Sequence, residues 1–101
     1  MLLAIVVSGL DHIHDTLCIG MVKPWGTGAP CCLVKLTDDH RWPKEVQRHG
    51  FEYFLEIGTT KEVLENCGPP TFSFEEQVEI LLYYAENDAW PEWANLKLAN
   101  I

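Results

Sequence analysis

The stretch "FEYFLEIGTTKEVLENCGPPTFSFEEQVEILLYYAE", residues 51–86, changes its hydrophobic period partway along, and that change decides the fold class. Apolar and polar side chains alternate first. Phe51, Tyr53, Leu55 and Ile57 share one face and Glu52, Phe54 and Glu56 the other, the pattern of a strand with one buried side. From Thr59 the repeat lengthens to that of a helix. Thr59 and Glu62 have the spacing of a capping box, Val63, Leu64 and Cys67 supply an apolar face, and Gly68-Pro69-Pro70 is a stop. Ser73 and Glu76 form a second capping box, opening a helix expected from about Phe74 to Glu86. Its apolar stripe is Phe74, Val78, Leu81, Leu82 and Ala85, with Glu75, Glu76, Glu79 and Glu86 away from it. The early glutamates also suit the positive end of the helix dipole.

Upstream, "TLCIGMV" (16–22) and "CCLVKL" (31–36) are short β-rich runs separated by the proline- and glycine-rich "KPWGTGAP". They should pair as a hairpin. "WPKEVQRHG" (42–50) fits one or two helical turns, with Pro43 at the first position and Gly50 as the stop. The opening "LLAIVVSGLDHI" can be strand, by its β-branched residues, or a short helix, by its length. The order (α or β)-β-β-α-β-α-α implies an α+β domain: a small antiparallel sheet of about three strands with helices on one face. At 101 residues and 48% hydrophobic, the chain has the size and apolar content for a single domain with its own core.

Charge is distributed unevenly. Residues 1–50 carry equal numbers of acids and bases, whereas residues 51–101 carry ten acids against Lys61 and Lys97, so the whole net charge of -8 lies in the second half. Such a field disfavours phosphate backbones, so nucleic acid is not the expected partner. It attracts a basic protein and speeds its approach. The plainer reading is an acidic surface that aids solubility. The opening residues lack the basic region and cleavage site of a signal peptide, and no run reaches the roughly 20 apolar residues of a membrane span. A cytoplasmic location away from membranes is expected. The cysteines (Cys18, Cys31, Cys32, Cys67) include no C-x-x-C pair, so reduced buried thiols are expected rather than a disulfide framework.

Enzyme-like features are sparse. Asp11, His12, His14 and Asp15 form a cluster of metal-ligand or acid–base type, but no third ligand stands at a diagnostic spacing, and a polar turn explains them as well. "WGTGAP" lacks the lysine and the following helix of a phosphate loop, and is read as a hairpin loop exposing Trp25. Cys31 and Cys32 with His40 or His49 have the residue types for nucleophilic catalysis, yet they open an apolar strand where thiols are inert. Asp38 and Asp39 offer fewer oxygen ligands than a cation site needs. No catalytic residue, metal or cofactor is expected.

A binding surface is the stronger expectation. "LLYYAENDAWPEW" (81–93) sets aromatic rings beside acids where Pro91 interrupts the helix. Tyrosine and tryptophan are common interface anchors, and acids beside them meet the lysines and arginines of a basic partner. Glu86, Asp88, Trp90 and Glu92 are the principal candidates, supported by Glu79, Tyr84 and Trp93. Trp25, Asp38 and Asp39 make a second candidate surface. Of the consecutive Tyr83 and Tyr84, one ring should pack and the other lean to the rim, while "WANL" folds back onto the core.

Three motifs carry a resemblance: W-x-x-x-x-P-C (Trp25, Pro30, Cys31), T-x-x-V-L-x-N (Thr60 to Asn66) and L-Y-Y-x-x-N-D-A (Leu82 to Ala89). Through them the chain resembles a group of small bacterial proteins built around a domain of unknown function. In size and acidity it is also similar to immunity proteins of contact-dependent growth inhibition and related toxin systems. That second likeness implies a non-enzymatic protein that neutralises a cognate toxin, expected to be a nuclease, by direct binding. The alternatives are a small hydrolase or metal-dependent enzyme using the Asp11/His12/His14 cluster, and a phage protein that mimics nucleic-acid charge.

Overall fold

The centre of the sheet is the run Cys18–Val22 (β1), flanked by Cys31–Val34 (β2) and Phe51–Glu56 (β3) in the order β2-β1-β3, both pairings antiparallel. The computed structural model describes residues 1–65, 67 and 71–99. The helices are Leu3–Ser8 (α1), Lys44–Arg48 (α2), Ile57–Leu64 (α3), Phe74–Asn87 (α4) and Glu92–Ala99 (α5). The fold is α+β, and the expected hairpin is present, with Cys18 opposite Val34 and Met21 opposite Cys31.

The two faces of the sheet are built differently. Ile19 and Met21 point into a hydrophobic cluster with Leu3 and Val6 of α1 and Ile80 and Leu81 of α4. On the opposite face, Gly20 lies beneath the Trp42 ring; a Cβ there would stand 2.9 Å from Trp42 Cζ2. Only glycine leaves room for that ring at the middle of the central strand. Trp42 is fixed by donating from Nε1 to the Phe51 carbonyl (2.9 Å) and by an edge contact with Tyr53, their centroids 5.7 Å apart.

Strict alternation in β3 does not survive. The register shifts between Ile19 and Gly20, which stand opposite Leu55 and Tyr53. Phe54 is therefore an extra residue, a bulge that turns two successive side chains to one side. Phe54 and Leu55 are both buried, while Tyr53 turns to the Trp42 face and is 44% exposed. The expected grouping of Tyr53 with Leu55, and of Phe54 with the glutamates, is corrected by that one inserted residue.

The capping box at Thr59 and Glu62 is also corrected. The helix begins at Ile57, directly after β3, with Glu56 as N-cap and no side-chain cap. The 15–17 segment satisfies its leading amides instead: Ile57 donates to the Leu17 carbonyl (2.8 Å) and Gly58 to the Asp15 carbonyl (3.2 Å). A backbone partner removes the need for a side-chain cap. Cys67, expected on this helix, lies beyond its end, buried, with its thiol donating to the Val63 carbonyl. The expected stop at Gly68-Pro69-Pro70 falls outside the described residues.

The ambiguous opening segment is helical. Leu3, Val6, Val7 and Leu10 are all buried, and their i, i+3, i+4, i+7 spacing is a helical face. That spacing overrides the strand preference of the valines. Pro43 is the N-cap of α2 rather than its first residue, and Gly50 adopts φ +87, the left-handed region where a stop glycine is favoured.

Candidate functional site

The second capping box forms as expected. Glu76 N–H donates to Ser73 Oγ (3.1 Å) and Ser73 N–H to Glu76 Oε1 (2.9 Å), opening α4 at Phe74. The helix runs to Asn87 and closes at Asp88, which is left-handed (φ 52, ψ 36) with its N–H donating to the Tyr84 carbonyl. An aspartate tolerates this conformation better than most residues, so the helix ends here without glycine. Val78, Ile80 and Leu81 face the core, whereas Phe74, expected in that stripe, is 42% exposed at the helix start.

The outer side of α4 carries Glu75, Glu79, Tyr83 and Glu86, all exposed and spaced as one helical stripe. Tyr84, the ring expected in the binding set, is half-buried against the core. Its neighbour Tyr83 is the one on the acidic side, 43% exposed. The interval from Glu79 to Tyr83 to Glu86 held that information: four and then three residues return to the same side of a helix.

Past the helix, Asp88 and Glu92 are exposed and flank a fastened turn. Trp90 and Trp93 both set their rings edge-on to the buried Phe72, with centroids 6.5 and 6.3 Å away. These tryptophans hold α5 to the core, and Ala94 is fully buried beneath it, so "WANL" does fold back. Trp93 retains 38% exposure beside Glu92.

The electrostatics separate paired acids from unpaired ones. Lys97 donates to both oxygens of Glu76 (2.8 and 2.9 Å) and lies over the Phe72 ring. The Lys97 hydrogen bond, then the Ser73 amide, hold the Glu76 carboxyl below its ordinary value. Lys61 donates to Asp15 and to the Ile13 carbonyl, and that bond lowers the Asp15 carboxyl likewise. Both lysines of the second half are thus engaged internally. Among the described residues, Glu75, Glu79, Glu86, Asp88 and Glu92 take part in no ion pair.

The second candidate surface does not assemble. Trp25 follows β1 and Asp38 and Asp39 follow β2, at opposite ends of the hairpin. Trp25 is half-buried, donating from Nε1 to the Met21 carbonyl (3.1 Å) with its ring against Phe54, so its loop does not expose it fully. Asp38 and Asp39 are exposed in the turn that His40 N–H closes on the Thr37 carbonyl.

The groups weighed for catalysis do not gather into one site. His14 Nδ1 accepts from the Thr16 amide, and Asp15 is held by Lys61, while Asp11 and His12 stand exposed on a 3-10 turn. Among the described residues no three His, Cys, Asp or Glu side chains converge as a metal site. Burial pushes the Cys31 and Cys67 thiols up to about 11 and raises those of Cys18 and Cys32. A neutral thiol is a poor nucleophile. His40 lines a cavity with Cys18, and His49 a groove with Cys32.

No helix among the described residues is long and apolar enough to cross a membrane. No curated protein and no solved structure matches the chain. A family model does match it, over residues 2–93, and that span takes in all three resemblance motifs. The chain belongs to the family of the domain of unknown function DUF7716.

Proposed function

We propose that the protein is a non-enzymatic acidic binding protein that neutralises a basic protein partner by direct contact, in concrete form an immunity protein set against a cognate nuclease toxin. One observation carries this reading: among the described residues, Glu79, Glu86, Asp88 and Glu92 on the outer stripe of α4 and the following turn join no ion pair, and Tyr83 and Trp93 are exposed beside them. Carboxylates with no internal partner lend little to the fold and remain available to lysines and arginines. Exposed rings among them supply apolar anchors. The partner sits on this face, its cationic groove covered, and substrate phosphate is excluded by acids of its own sign.

The test searches the region upstream of the gene for a toxin domain and measures this protein's binding to it on an immobilised surface. The native protein should bind tightly with an on-rate that falls steeply as salt is raised. Glu79→Lys with Glu86→Lys should slow association about tenfold or more while leaving the unfolding midpoint nearly unchanged. Unchanged association by that double variant places the contact elsewhere. Absence of any binding removes the immunity reading itself.

A further inference from the structure

The sheet face away from the core holds a cleft that the acidic helix does not explain. Cys18 stands opposite Glu56 on one side and Val34 on the other, so these three side chains share that face. The chain leaving β2 turns back over them through residues 36–41. Between strand and turn lies a cavity of about 380 Å³, lined by Thr16, Cys18, Lys35, Asp38, His40 and Glu56 among others. Its floor is the fully buried Cys18.

Groups of opposite kinds stand around this space without meeting. Lys35 belongs to no ion pair among the described residues, and neither do Asp38 and Glu56. Elsewhere in the molecule, lysines that lie near carboxylates close on them: Lys61 on Asp15, and Lys97 on Glu76. Around this cleft the two signs form no such pair among the described residues. The turn that bounds the gap is held in shape: Thr37 exchanges backbone bonds with Arg41 and His40, the Arg41 amide donates to Thr37 Oγ1, and His40 sits at φ 59. Histidine is among the non-glycine residues enriched in that left-handed region, and the turn's hydrogen bonds fix the His40 backbone there.

We propose that this cleft is a binding site for a small zwitterion of the amino-acid or dipeptide class. The ligand's carboxylate is taken by Lys35 and the His40 imidazole, and its ammonium by Glu56 and Asp38. Thr16 and Thr37 supply hydroxyls at the edges, and the Cys18 thiol with Leu36 gives an apolar floor for a small side chain. Burial and the Glu56 charge both raise the Cys18 thiol, so the floor stays neutral beneath the ligand. A ligand of one charge alone satisfies only half of the site. The cleft is distinct from the α4 face, and neither reading depends on the other.

The experiment is calorimetric titration of the full chain with dialanine, compared with N-acetyl-dialanine, which lacks the ammonium, and dialanine amide, which lacks the carboxylate. Saturable binding of dialanine is expected, with each capped form about tenfold weaker, the loss of one charge-assisted contact. Lys35→Gln and Glu56→Gln should each weaken dialanine about tenfold at an unchanged unfolding midpoint, since both residues are exposed. Lys35→Gln should bring dialanine down to the level of dialanine amide, and Glu56→Gln to that of the acetylated form. No dialanine binding at millimolar concentration overturns the proposal. So does equal binding of the three ligands, or dialanine binding that both variants leave intact.

Discussion

The inner and outer sides of α4 are one backbone put to two uses. Val78, Ile80 and Leu81 are each less than 5% exposed, packed with α1 and the sheet into one apolar cluster. Glu75, Glu79, Tyr83 and Glu86, a half-turn away, lie exposed, and their carboxylates join no ion pair among the described residues. Inner residues answer to packing, where even one methylene is felt. Outer residues are nearly neutral for the fold, so their identity is open to a partner's demands. Stability and recognition are therefore separable along a single helix.

The hardest blow to that separation is a cavity on the inner side. Ile80 is completely buried, and Ile80→Ala should cost about 2–5 kcal/mol in chemical denaturation. The molecules that remain folded should bind the basic partner as the native protein does. If Ile80→Ala slows association as strongly as the paired charge reversal on the outer side, the two faces are coupled and the comparison fails. A smaller effect belongs to the cap that starts both faces. Ser73→Ala removes the acceptor for the Glu76 amide and should cost about 1 kcal/mol, or roughly 4–8 °C in the unfolding midpoint. Association should again be spared, because Ser73 fixes where the helix begins and not what it presents.

Elements with local causes were legible in the sequence. The Ser73 box and the hairpin runs depend on neighbours close in the chain, and each is found where its residues place it. The failures have long-range causes. Nothing local to Phe54 announces a bulge; it becomes visible only once Tyr53 must meet Trp42 on the far face. The Thr59 box fails because donors at Ile57 and Gly58 find carbonyls some 40 residues earlier in the chain, at Leu17 and Asp15. At the candidate site the acids were legible from charge alone, but the choice of ring was not read from the helix period, which selects Tyr83. The cleft over Cys18 could not be read at all, since it joins residues 16, 18, 35–40 and 56 through strand register.

The finest test moves one residue from the paired class to the unpaired class. Glu76 lies on α4 with the other glutamates, yet Lys97 holds its carboxyl below the ordinary value. A carboxyl more acidic in the folded state than in the unfolded one adds stability above its unfolded value. That stability drains away as the pH falls through the lowered folded value. Lys97→Met removes the largest cause of the lowering and leaves the Ser73 amide in place. At neutral pH the variant should be slightly less stable than the native protein, and the two should converge as acid protonates Glu76 in both. Equilibrium denaturation at a series of pH values reads the gap directly. A gap that stays constant down through the carboxylate range means that Lys97 acts through its stem over Phe72 and not through its charge. The same variant adds Glu76 to the unpaired acids of α4 and removes a positive charge, so association with a basic partner should quicken modestly at low salt. A variant that loses stability while gaining association speed would show the two uses of α4 pulling against each other at Glu76, the α4 carboxylate that Lys97 ties to the fold.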